Sequence, residues 1–314
     1  MSPERVPVTV EGRELSLSNL DKRLYPTGFT KGELLDYYAK IAPVMLPHLK
    51  GRPVTVKRFP DGVGGQGFIE KNLPRHAPDW IPTAVLPRKG RGSDTTRFPL
   101  IEGLAAFTWF VNLAAIEFHT PMWRVDKKGQ PSPPDLVVFD LDPGAPATIV
   151  ECCQVARHLV EHLESDGVEL LAKTSGSKGL QLYGRIAERR WSGERVNAWA
   201  HEVAEAVEHE VPDLVVSRMS KSLRPGKILI DWSQNNPAKT TVTVYSMRAV
   251  ERPSVSTPVT WGEVRACADG GDPATLAFSP EDVLGRVSDH GDLFAPLVSA
   301  GNTGLAGKKS KARS

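Results

Sequence analysis

The chain has 314 residues, of which 40% are hydrophobic and 24% charged, and its formal net charge is +2. This composition predicts a soluble globular protein with a buried core, and so small a net charge does not by itself indicate nucleic-acid binding. No run of about 18 apolar residues occurs and the N-terminus lacks a signal pattern, which excludes a membrane span and predicts a cytoplasmic location. The cysteines form neither a disulfide framework nor a zinc-type pattern, so any metal should be bound by oxygen.

The N-terminal region begins with a short polar strand-turn segment and continues with a helix. Thr30 and Glu33 have capping-box spacing, and apolar residues repeat at helical period behind them as far as residues 47–51. Two strands are predicted next, at 54–59 and 67–72, joined by a glycine-rich turn. The turn has the glycine spacing of a dinucleotide-binding fingerprint, but the strand-like segment that follows it argues against that function.

The stretch from residue 50 to residue 100 carries ten lysines and arginines against four acids. This excess is a candidate electrostatic footprint for a polyanion, and a solvated charged face is an equally simple interpretation. Its later part, 74–100, is rich in proline, arginine and glycine and is predicted to be an exposed excursion. A helix within 101–120, leading into a strand at 114–119, and a polar connection at 126–134 follow.

Residues 136–144 read Leu-Val-Val-Phe-Asp-Leu-Asp-Pro-Gly, which predicts a buried strand that ends at a Pro-Gly breaker. Side chains alternate along a strand, so Asp140 and Asp142 project from one face, about 7 Å apart at twice the strand rise. Two carboxylates this close repel each other unless a cation lies between them, which indicates a divalent-metal site. The alternative is that both aspartates only solvate and cap the turn before Pro143.

The second half of the chain alternates helices with strands and then places several strands close together. Thr148 and Glu151 begin a helix with a capping box, a further helix is predicted at 193–210, and the last helix begins at Ser279. Strands are predicted at 168–174, 180–186, 214–218, 227–232 and 241–248, and a loop at 253–258. This order predicts a mixed α/β or α+β sheet rather than an all-parallel one.

The simplest domain organisation is one catalytic domain over residues 1–300. Within it we expect an N-terminal subregion at 1–110 and a catalytic core at 111–300. Residues 301–314 are basic and poor in apolar residues, which predicts a disordered tail.

A third acid strengthens the metal hypothesis. Asp231 ends the apolar run 228–230, so it meets Asp140 and Asp142 if the two strands are neighbours. Three aspartates at strand ends suit a pair of Mg²⁺ or Mn²⁺ ions, because hard cations prefer oxygen ligands. Three unrelated turn aspartates are the alternative.

The turn 175–179, Ser-Gly-Ser-Lys-Gly, is a candidate phosphate site. Its small residues let backbone N–H groups approach an anion, and Lys178 adds a positive charge. It lacks the Walker pattern, and a hairpin turn with a solvated lysine is the simpler interpretation. Arg224 and Arg248 are placed to add cations or, equally, to lie at the surface.

Several segments, taken together and in order, resemble one family. They are Asn19-Leu20-Asp21-Lys22, Tyr25-Pro26, Thr30-Lys31-Gly32, Gly51-Arg52-Pro53-Val54, Glu70-Lys71-Asn72-Leu73-Pro74, Phe118-His119, Phe139-Asp140-Leu141-Asp142-Pro143-Gly144, Lys173 to Leu180 and Ile230-Asp231. From about Asn19 to Phe294 the chain is similar to the polymerase domain of bacterial DNA ligase D and to stand-alone Prim-Pol enzymes of the archaeo-eukaryotic primase superfamily. The resemblance implies a primase-polymerase core, a mixed or antiparallel sheet flanked by helices. It also implies template-dependent addition of NTPs or dNTPs to primer ends at gaps or breaks during DNA repair.

The resemblance also implies a role for individual residues. It assigns Asp140, Asp142 and Asp231 to two Mn²⁺ or Mg²⁺ ions. Around the incoming nucleotide or the catalytic loop it places Lys57, His119, Ser175, Lys178, Gln181, Arg224 and Arg248. It implies that Asn19, Lys22 and Lys31 bind the 5′-phosphate of the downstream strand and that Phe68 stacks on template bases. The chemistry agrees, because lysines and an amide suit a terminal phosphate and an aromatic ring suits an exposed base. Without the resemblance, surface solvation is the simpler interpretation of Asn19, Lys22 and Lys31, and a core position that of His119 and Phe68.

Two positions depart from the family pattern. Gln181 stands where many members have histidine, and glutamine can hydrogen-bond a phosphate but cannot add positive charge. Ile69 follows Phe68 where relatives often have two consecutive aromatics, which weakens the stacking platform.

The implied partners are gapped or broken DNA with a 5′-phosphate and a DNA ligase or Ku, in the cytoplasm at the nucleoid and without a membrane. The residues also fit two other functions. A haloacid-dehalogenase-like phosphatase would use Asp140 as a nucleophile, although Gly144 stands where that family has Thr or Val. A non-catalytic module that binds DNA gaps or ends is the other.

Overall fold

A computed structural model of the protein describes residues 5–87, 94–164, 167–186 and 191–299. The helices of this part are α1 Lys31–Leu49, α2 Leu104–Asn112, α3 Ile149–Glu164, α4 Gly193–Glu210, α5 Trp261–Ala268 and α6 Pro280–His290. The strands are β1 Arg5–Val10, β2 Arg13–Ser18, β3 Thr55–Arg58, β4 Phe68–Glu70, β5 Thr83–Pro87, β6 Thr95–Pro99, β7 Ala115–Thr120, β8 Leu136–Pro143, β9 Leu170–Thr174, β10 Leu180–Arg185, β11 Val215–Val216, β12 Ile228–Asp231, β13 Thr241–Val242, β14 Met247–Arg248, β15 Ser254–Val255 and β16 Pro258–Val259. None of these helices is both long and apolar enough to cross a lipid bilayer.

The chain forms two compact units. The first comprises Met1–Ser132, Thr240–Thr257 and Ala277–Asp292, and the second comprises Pro133–Lys239, Pro258–Leu276 and Leu293–Ser314. The mixed α/β class predicted from the sequence is confirmed. The single catalytic domain with an internal boundary near residue 110 stays a prediction.

The first unit is built on an antiparallel sheet of order β13-β7-β3-β4. Helix α1 begins at the predicted capping box: Thr30 Oγ1 accepts from the Glu33 N–H, and the Glu33 carboxylate accepts from the Thr30 N–H at 2.7 Å. The ring of Tyr38 on α1 packs edge-on against Phe107 and Phe118, with centroids 5.0 and 5.2 Å away. Its hydroxyl donates to the Ile116 carbonyl oxygen, so the core fixes α1 to β7.

The second unit is built on a mixed sheet of order β11-β12-β8-β10-β9-β16, in which β11 and β12 are parallel and the other pairs antiparallel. On β8, Phe139 packs against Trp199 of α4 with ring centroids 6.0 Å apart. Because side chains alternate, α4 covers the face of β8 opposite to Asp140 and Asp142. The apolar face is therefore buried and the aspartates occupy the other face.

Three predictions of local structure are wrong. The stretch 74–100 is not only an excursion, because β5 and β6 pair in a hairpin with a small core of its own around Ala84, Leu86 and Leu100. The run 241–248 is not one strand, because Tyr245 has φ 67° and its left-handed backbone separates β13 from β14. The stretch 253–258 is not only a loop, since it contains β15 and the first residue of β16.

Helix α5 was not predicted, although its capping box is visible in the sequence. Thr260 Oγ1 accepts from the Glu263 N–H, and the Glu263 carboxylate accepts from the Thr260 N–H at 2.8 Å. The predicted basic tail, and the basic residues Arg88, Lys89 and Arg91, lie outside the described residues.

Candidate active site

Three carboxylates converge on one face of the second unit's sheet. Asp140 and Asp142 lie on β8, and the strand register places Asp231, the last residue of β12, directly opposite Asp140. One oxygen of each carboxylate lies within 4.8 Å of the others. The two apolar strands that end in acids are therefore neighbours. The predicted metal site requires this arrangement, because only neighbouring strands bring the three aspartates together.

The electrostatics of this trio favour a bound cation. Burial, followed by the smaller effect of the charge of Asp142, raises the pKa of Asp140 to about 7. A hydrogen bond from Gln181 opposes that rise. A divalent cation would remove the repulsion among the carboxylates, and three oxygen donors are what Mg²⁺ and Mn²⁺ prefer. The residues present therefore fit a hard divalent ion.

Asp231 is held by the residues that follow it. Its Oδ1 accepts from the Ser233 N–H at 3.0 Å and from the Ser233 hydroxyl, and its Oδ2 accepts from Gln234 Nε2 at 2.8 Å. Lys239 Nζ donates to Ser233 Oγ at 2.5 Å. The short 3₁₀ turn Trp232–Asn235 therefore restrains both oxygens of the Asp231 carboxylate, and Lys239 in turn holds Ser233.

Gln181 lies beside the trio and is buried. Its Nε2 donates to Asp140 Oδ1 at 3.0 Å, and its Oε1 accepts from Lys173 Nζ at 2.5 Å. Lys173 is 1% exposed and Gln181 3% exposed. The amide therefore uses both of its ends within the protein, and the predicted contact of Gln181 with a nucleotide stays a prediction.

The turn 175–179 is fixed by its first residue. Ser175 Oγ accepts from the N–H groups of Ser177 and Gly179, at 3.2 and 3.0 Å. A Cβ at Gly179 would lie 2.2 Å from the Leu141 carbonyl oxygen, so only glycine allows the turn to approach β8 this closely. Lys178 is exposed at the tip of the turn.

A second close approach lies at the end of β8. A Cβ at Gly144 would lie 1.9 Å from the Arg224 carbonyl oxygen, which explains glycine at this position. Arg224 donates from Nη2 to the Met219 carbonyl oxygen at 2.8 Å. Among the described residues, its buried Nε has no hydrogen-bond partner.

A second cluster, in the first unit, contains three of the predicted nucleotide-binding residues. Glu117 of β7 lies 2.7 Å from His119 Nε2 and 3.1 Å from Lys57 Nζ, both through Oε2. Its Oε1 lies 3.5 Å from Arg248 Nε and accepts from the Ala249 N–H at 3.0 Å. One buried carboxylate therefore holds three basic side chains together.

The titration of this cluster follows from its contacts. Burial opposes the ionisation of Glu117, but the hydrogen bond with His119 and the charges of Arg248 and Lys57 outweigh it and hold the pKa of Glu117 below its usual range. Burial lowers the pKa of His119, and its hydrogen bond with Glu117 opposes that change. At neutral pH the carboxylate is ionised and the histidine is uncharged.

The three residues predicted to bind a 5′-phosphate lie together in the first unit. The Lys22 N–H donates to the Asn19 carbonyl oxygen at 3.1 Å, and the Lys31 N–H donates to the Lys22 carbonyl oxygen at 2.9 Å. Asn19 has φ 54°, a left-handed conformation that asparagine tolerates better than most residues. Lys31 is 4% exposed, and burial, followed by the charge of Lys22, lowers its pKa to about 8.

Phe68 is exposed, as a stacking platform must be. Its relative exposure is 45%, and that of Ile69 is 66%.

Part of the basic stretch at residues 50–100 has a structural role within the protein. Arg52 is buried and donates to the Pro121 carbonyl oxygen, and Arg58 forms an ion pair with Glu70 at 2.5 Å. Fewer basic side chains are therefore available to a polyanion than the sequence count indicates.

Two residues of these clusters were missed in the sequence. Glu117 and Lys173 are each a charged residue inside a short apolar strand, and that pattern could have marked them. Glu117 also lies two residues before His119, so both side chains must share one face of β7.

Comparison with known proteins agrees with this description. The family model described as "LigD, primase-polymerase domain" matches residues 30–294. A solved structure of the polymerase domain from Mycobacterium tuberculosis ligase D in complex with DNA is 40% identical, with a TM-score of 0.85, and the match covers 92% of this chain and 99% of that one. The multifunctional non-homologous end joining protein LigD of Mycolicibacterium smegmatis is 44% identical over 90% of this chain and 36% of the relative. The bifunctional relative of Bacillus subtilis is 28% identical over 90% of this chain and 44% of its own length.

The fold and its acidic trio define a nucleotidyltransferase of the primase-polymerase class. More particularly, the chain belongs to the LigD primase-polymerase domain family. It spans less than half the length of these curated relatives. The family implies the use of divalent metal, and it overturns the phosphatase alternative.

Proposed function

We propose that the protein extends primer ends at short gaps or breaks in DNA by template-dependent, two-metal nucleotidyl transfer with NTPs or dNTPs. The observation that carries the proposal is the convergence of Asp140, Asp142 and Asp231, with one oxygen of each within 4.8 Å of the others. Two bound Mn²⁺ or Mg²⁺ ions would lower the pKa of the attacking 3′-hydroxyl and neutralise charge on the leaving pyrophosphate.

The protein's own groups would prepare these ligands. Asp231 is oriented by Ser233 and Gln234 through both carboxylate oxygens, and Gln181 holds one oxygen of Asp140. An oriented carboxylate loses little side-chain freedom when it binds a metal. Ser175, Lys178 and Arg224, which belong to the same unit, are proposed to contact the nucleotide.

Lys57, His119 and Arg248 are proposed to bind phosphate groups of the nucleotide. The lysine and arginine would supply positive charge, and the histidine would donate a hydrogen bond. Glu117 supports this role because it holds all three side chains in one cluster.

The 5′-phosphate of a downstream strand is proposed to bind at Asn19, Lys22 and Lys31. Burial, followed by the charge of Lys22, lowers the pKa of Lys31 to about 8, and Lys22 Nζ already forms an ion pair with Asp61 Oδ1 at 3.0 Å. A terminal phosphate carries the negative charge that would stabilise both lysines. Phe68 is proposed to stack on a template base, with Ile69 beside it as an apolar but non-aromatic neighbour.

The biological setting is proposed from the relatives. The relatives from Mycolicibacterium smegmatis and Bacillus subtilis are non-homologous end joining proteins, and the solved relative is in complex with DNA. We infer that this protein acts on gapped or broken DNA at the nucleoid, in the cytoplasm, with a ligase or Ku as partner.

The test is primer extension on a 5′-phosphorylated gapped substrate, with NTPs and dNTPs compared in Mn²⁺ and Mg²⁺. Asp140→Ala is expected to abolish extension while gapped-DNA binding stays close to wild type. Tight DNA binding without extension by the wild-type protein would favour a non-catalytic gap-binding module instead. Full extension by Asp140→Ala would contradict the assigned role of the trio.

A further inference from the structure

A row of polar side chains crosses the second unit's sheet and includes two of the three aspartates of the trio. The register places Gln181 of β10 opposite Asp140 of β8 on one side and opposite Lys173 of β9 on the other. Asp231 of β12 lies opposite Asp140 on its far side. Four adjacent strands thus contribute one residue each, in the order Lys173, Gln181, Asp140 and Asp231.

The charges at the two ends of the amide fix its orientation. Lys173 Nζ can only donate, and it lies 2.5 Å from Gln181 Oε1. Asp140 Oδ1 accepts from Gln181 Nε2 at 3.0 Å. A flipped amide would place its NH₂ against an ammonium and its oxygen against a carboxylate, so the arrangement has one low-energy form.

The fixed amide of Gln181 orients the carboxylate of Asp140. Its Oδ1 is engaged by Gln181, whereas its Oδ2 accepts no hydrogen bond from the described residues. A ligand oriented in this way presents one oxygen to a cation, as outer partners of metal ligands commonly arrange.

We propose that Gln181, held by Lys173, is a positioning residue that orients Asp140 and thereby sets the protein's affinity for its divalent metal. The inference rests on the proposed function, because it requires the trio to bind metal. Gln181 then acts through Asp140, and not through contact with the nucleotide.

A purely electrostatic role for Lys173 predicts the opposite change in cation affinity for the variant Lys173→Met. Lys173 is a buried positive charge near the metal ligands, and by charge alone its removal would tighten cation binding. If Lys173 instead holds Gln181 in place, Lys173→Met loosens Asp140 and weakens cation binding. The direction of the change therefore separates the two roles.

The experiment measures Mn²⁺ binding to the full chain, without nucleotide or DNA, by the electron paramagnetic resonance signal of free Mn²⁺. Gln181→Met keeps the length of the side chain and removes both hydrogen bonds, and Mn²⁺ affinity is expected to fall roughly 10- to 100-fold. Gln181→His restores a donor and an acceptor on one ring and should return the affinity close to wild type. Lys173→Met should weaken binding in the same direction as Gln181→Met.

The matched control is Gln154→Met on α3. Its amide donates to the Ala268 carbonyl oxygen of α5 at 3.2 Å, and no hydrogen bond among the described residues joins it to the trio, so the same substitution there should leave Mn²⁺ binding unchanged. Thermal unfolding in EDTA checks that each variant folds. If methionine prevents folding at 181, Gln181→Asn makes the same test, because the shorter side chain cannot reach Lys173 and Asp140 together.

The outcomes separate this inference from the proposed function. Failure of the wild type to bind Mn²⁺, or undiminished binding by Asp140→Ala, overturns the metal site itself. Wild-type affinity in Gln181→Met together with loss in Asp140→Ala overturns the positioning role alone, as does tighter binding by Lys173→Met. Weakened binding in Gln181→Met with recovery in Gln181→His supports it.

Discussion

Removing the charge of Asp140 should make the metal-free protein more stable and the enzyme inactive. Asp140→Asn keeps the size of the side chain and an oxygen that can accept from Gln181 Nε2. It removes one of three negative charges whose oxygens lie within 4.8 Å of one another. Relief of repulsion and loss of a proposed metal ligand come from the same change.

The expected gain in stability follows from the pKa of Asp140. The carboxyl titrates near 7 in the folded protein, against an ordinary value of 3.8. A carboxyl whose pKa rises on folding binds its proton more tightly when folded, so stability is lost as pH rises from about 4 to about 7. At pH 8 the loss is at most about 4 kcal/mol, and its removal in Asp140→Asn should raise the melting temperature by several degrees.

The assay compares wild type and Asp140→Asn by thermal unfolding in EDTA at pH 8 and pH 4, and by primer extension in Mn²⁺. The stability gain should be clear at pH 8 and absent at pH 4, while extension falls roughly 10³-fold, because a metal ion contributes several kcal/mol to transition-state stabilisation. The exposed acid Asp289 provides a control, since Asp289→Asn should change neither measurement. A lower melting temperature for Asp140→Asn at pH 8 would refute the reasoning.

Three further predictions concern single side chains. Glu117→Gln should destabilise the protein by up to about 3 kcal/mol at pH 7, because it leaves the partly buried charges of Lys57 and Arg248 without their carboxylate. Chemical denaturation should show this difference shrink as pH falls below about 4, since the depressed pKa of Glu117 stabilises the fold only while the carboxylate is ionised. Gly144→Ala should cost about 3 kcal/mol or more by the same measurement, since its Cβ meets the Arg224 carbonyl oxygen, whereas Gly285→Ala, with open space around it in α6, should be neutral or stabilising. Phe68→Ala should leave stability within about 0.5 kcal/mol and weaken template binding by about 1–3 kcal/mol in a fluorescence titration with single-stranded DNA.

The acidic strand could be predicted because its information is local. Four apolar residues, two acids at a spacing of two and a Pro-Gly breaker specify a strand and the face on which Asp140 and Asp142 lie. The bounds of α4, Gly193–Glu210, were also predicted correctly from the helical period, and the structure shows Ser192 capping the helix by accepting from the Arg195 N–H.

Contacts across strands could be predicted only where a turn fixes the register. The hairpin turn 175–179 makes Lys173 the partner of Gln181, and that pairing follows from counting outward from the turn. The pairing of Gln181 with Asp140 joins two residues that are 41 positions apart in sequence, and nothing local specifies it. The ion pair between Arg248 and Glu117 is more distant still in sequence, so the contact itself is not specified locally, although the charge of Glu117 inside an apolar strand is a local signal.

Composition misled the reading of residues 74–100. Proline and glycine suggested an irregular loop, but alternation in β5 buries Ala84 and Leu86 while Val85 faces outward. A period of two over five residues is enough for a hairpin when a neighbouring residue, here Leu100, completes a small apolar cluster.

The braced position of Asp231 has a consequence for the choice of ion. Because Ser233 and Gln234 restrain both carboxylate oxygens, this ligand has little freedom to move outward. Mg²⁺ requires ligand distances of about 2.1 Å and regular octahedral geometry, whereas Ca²⁺ requires about 2.4 Å and more ligands. A stiff ligand set selects by ionic radius, so Ca²⁺ should occupy the trio in a distorted geometry and fail to support extension.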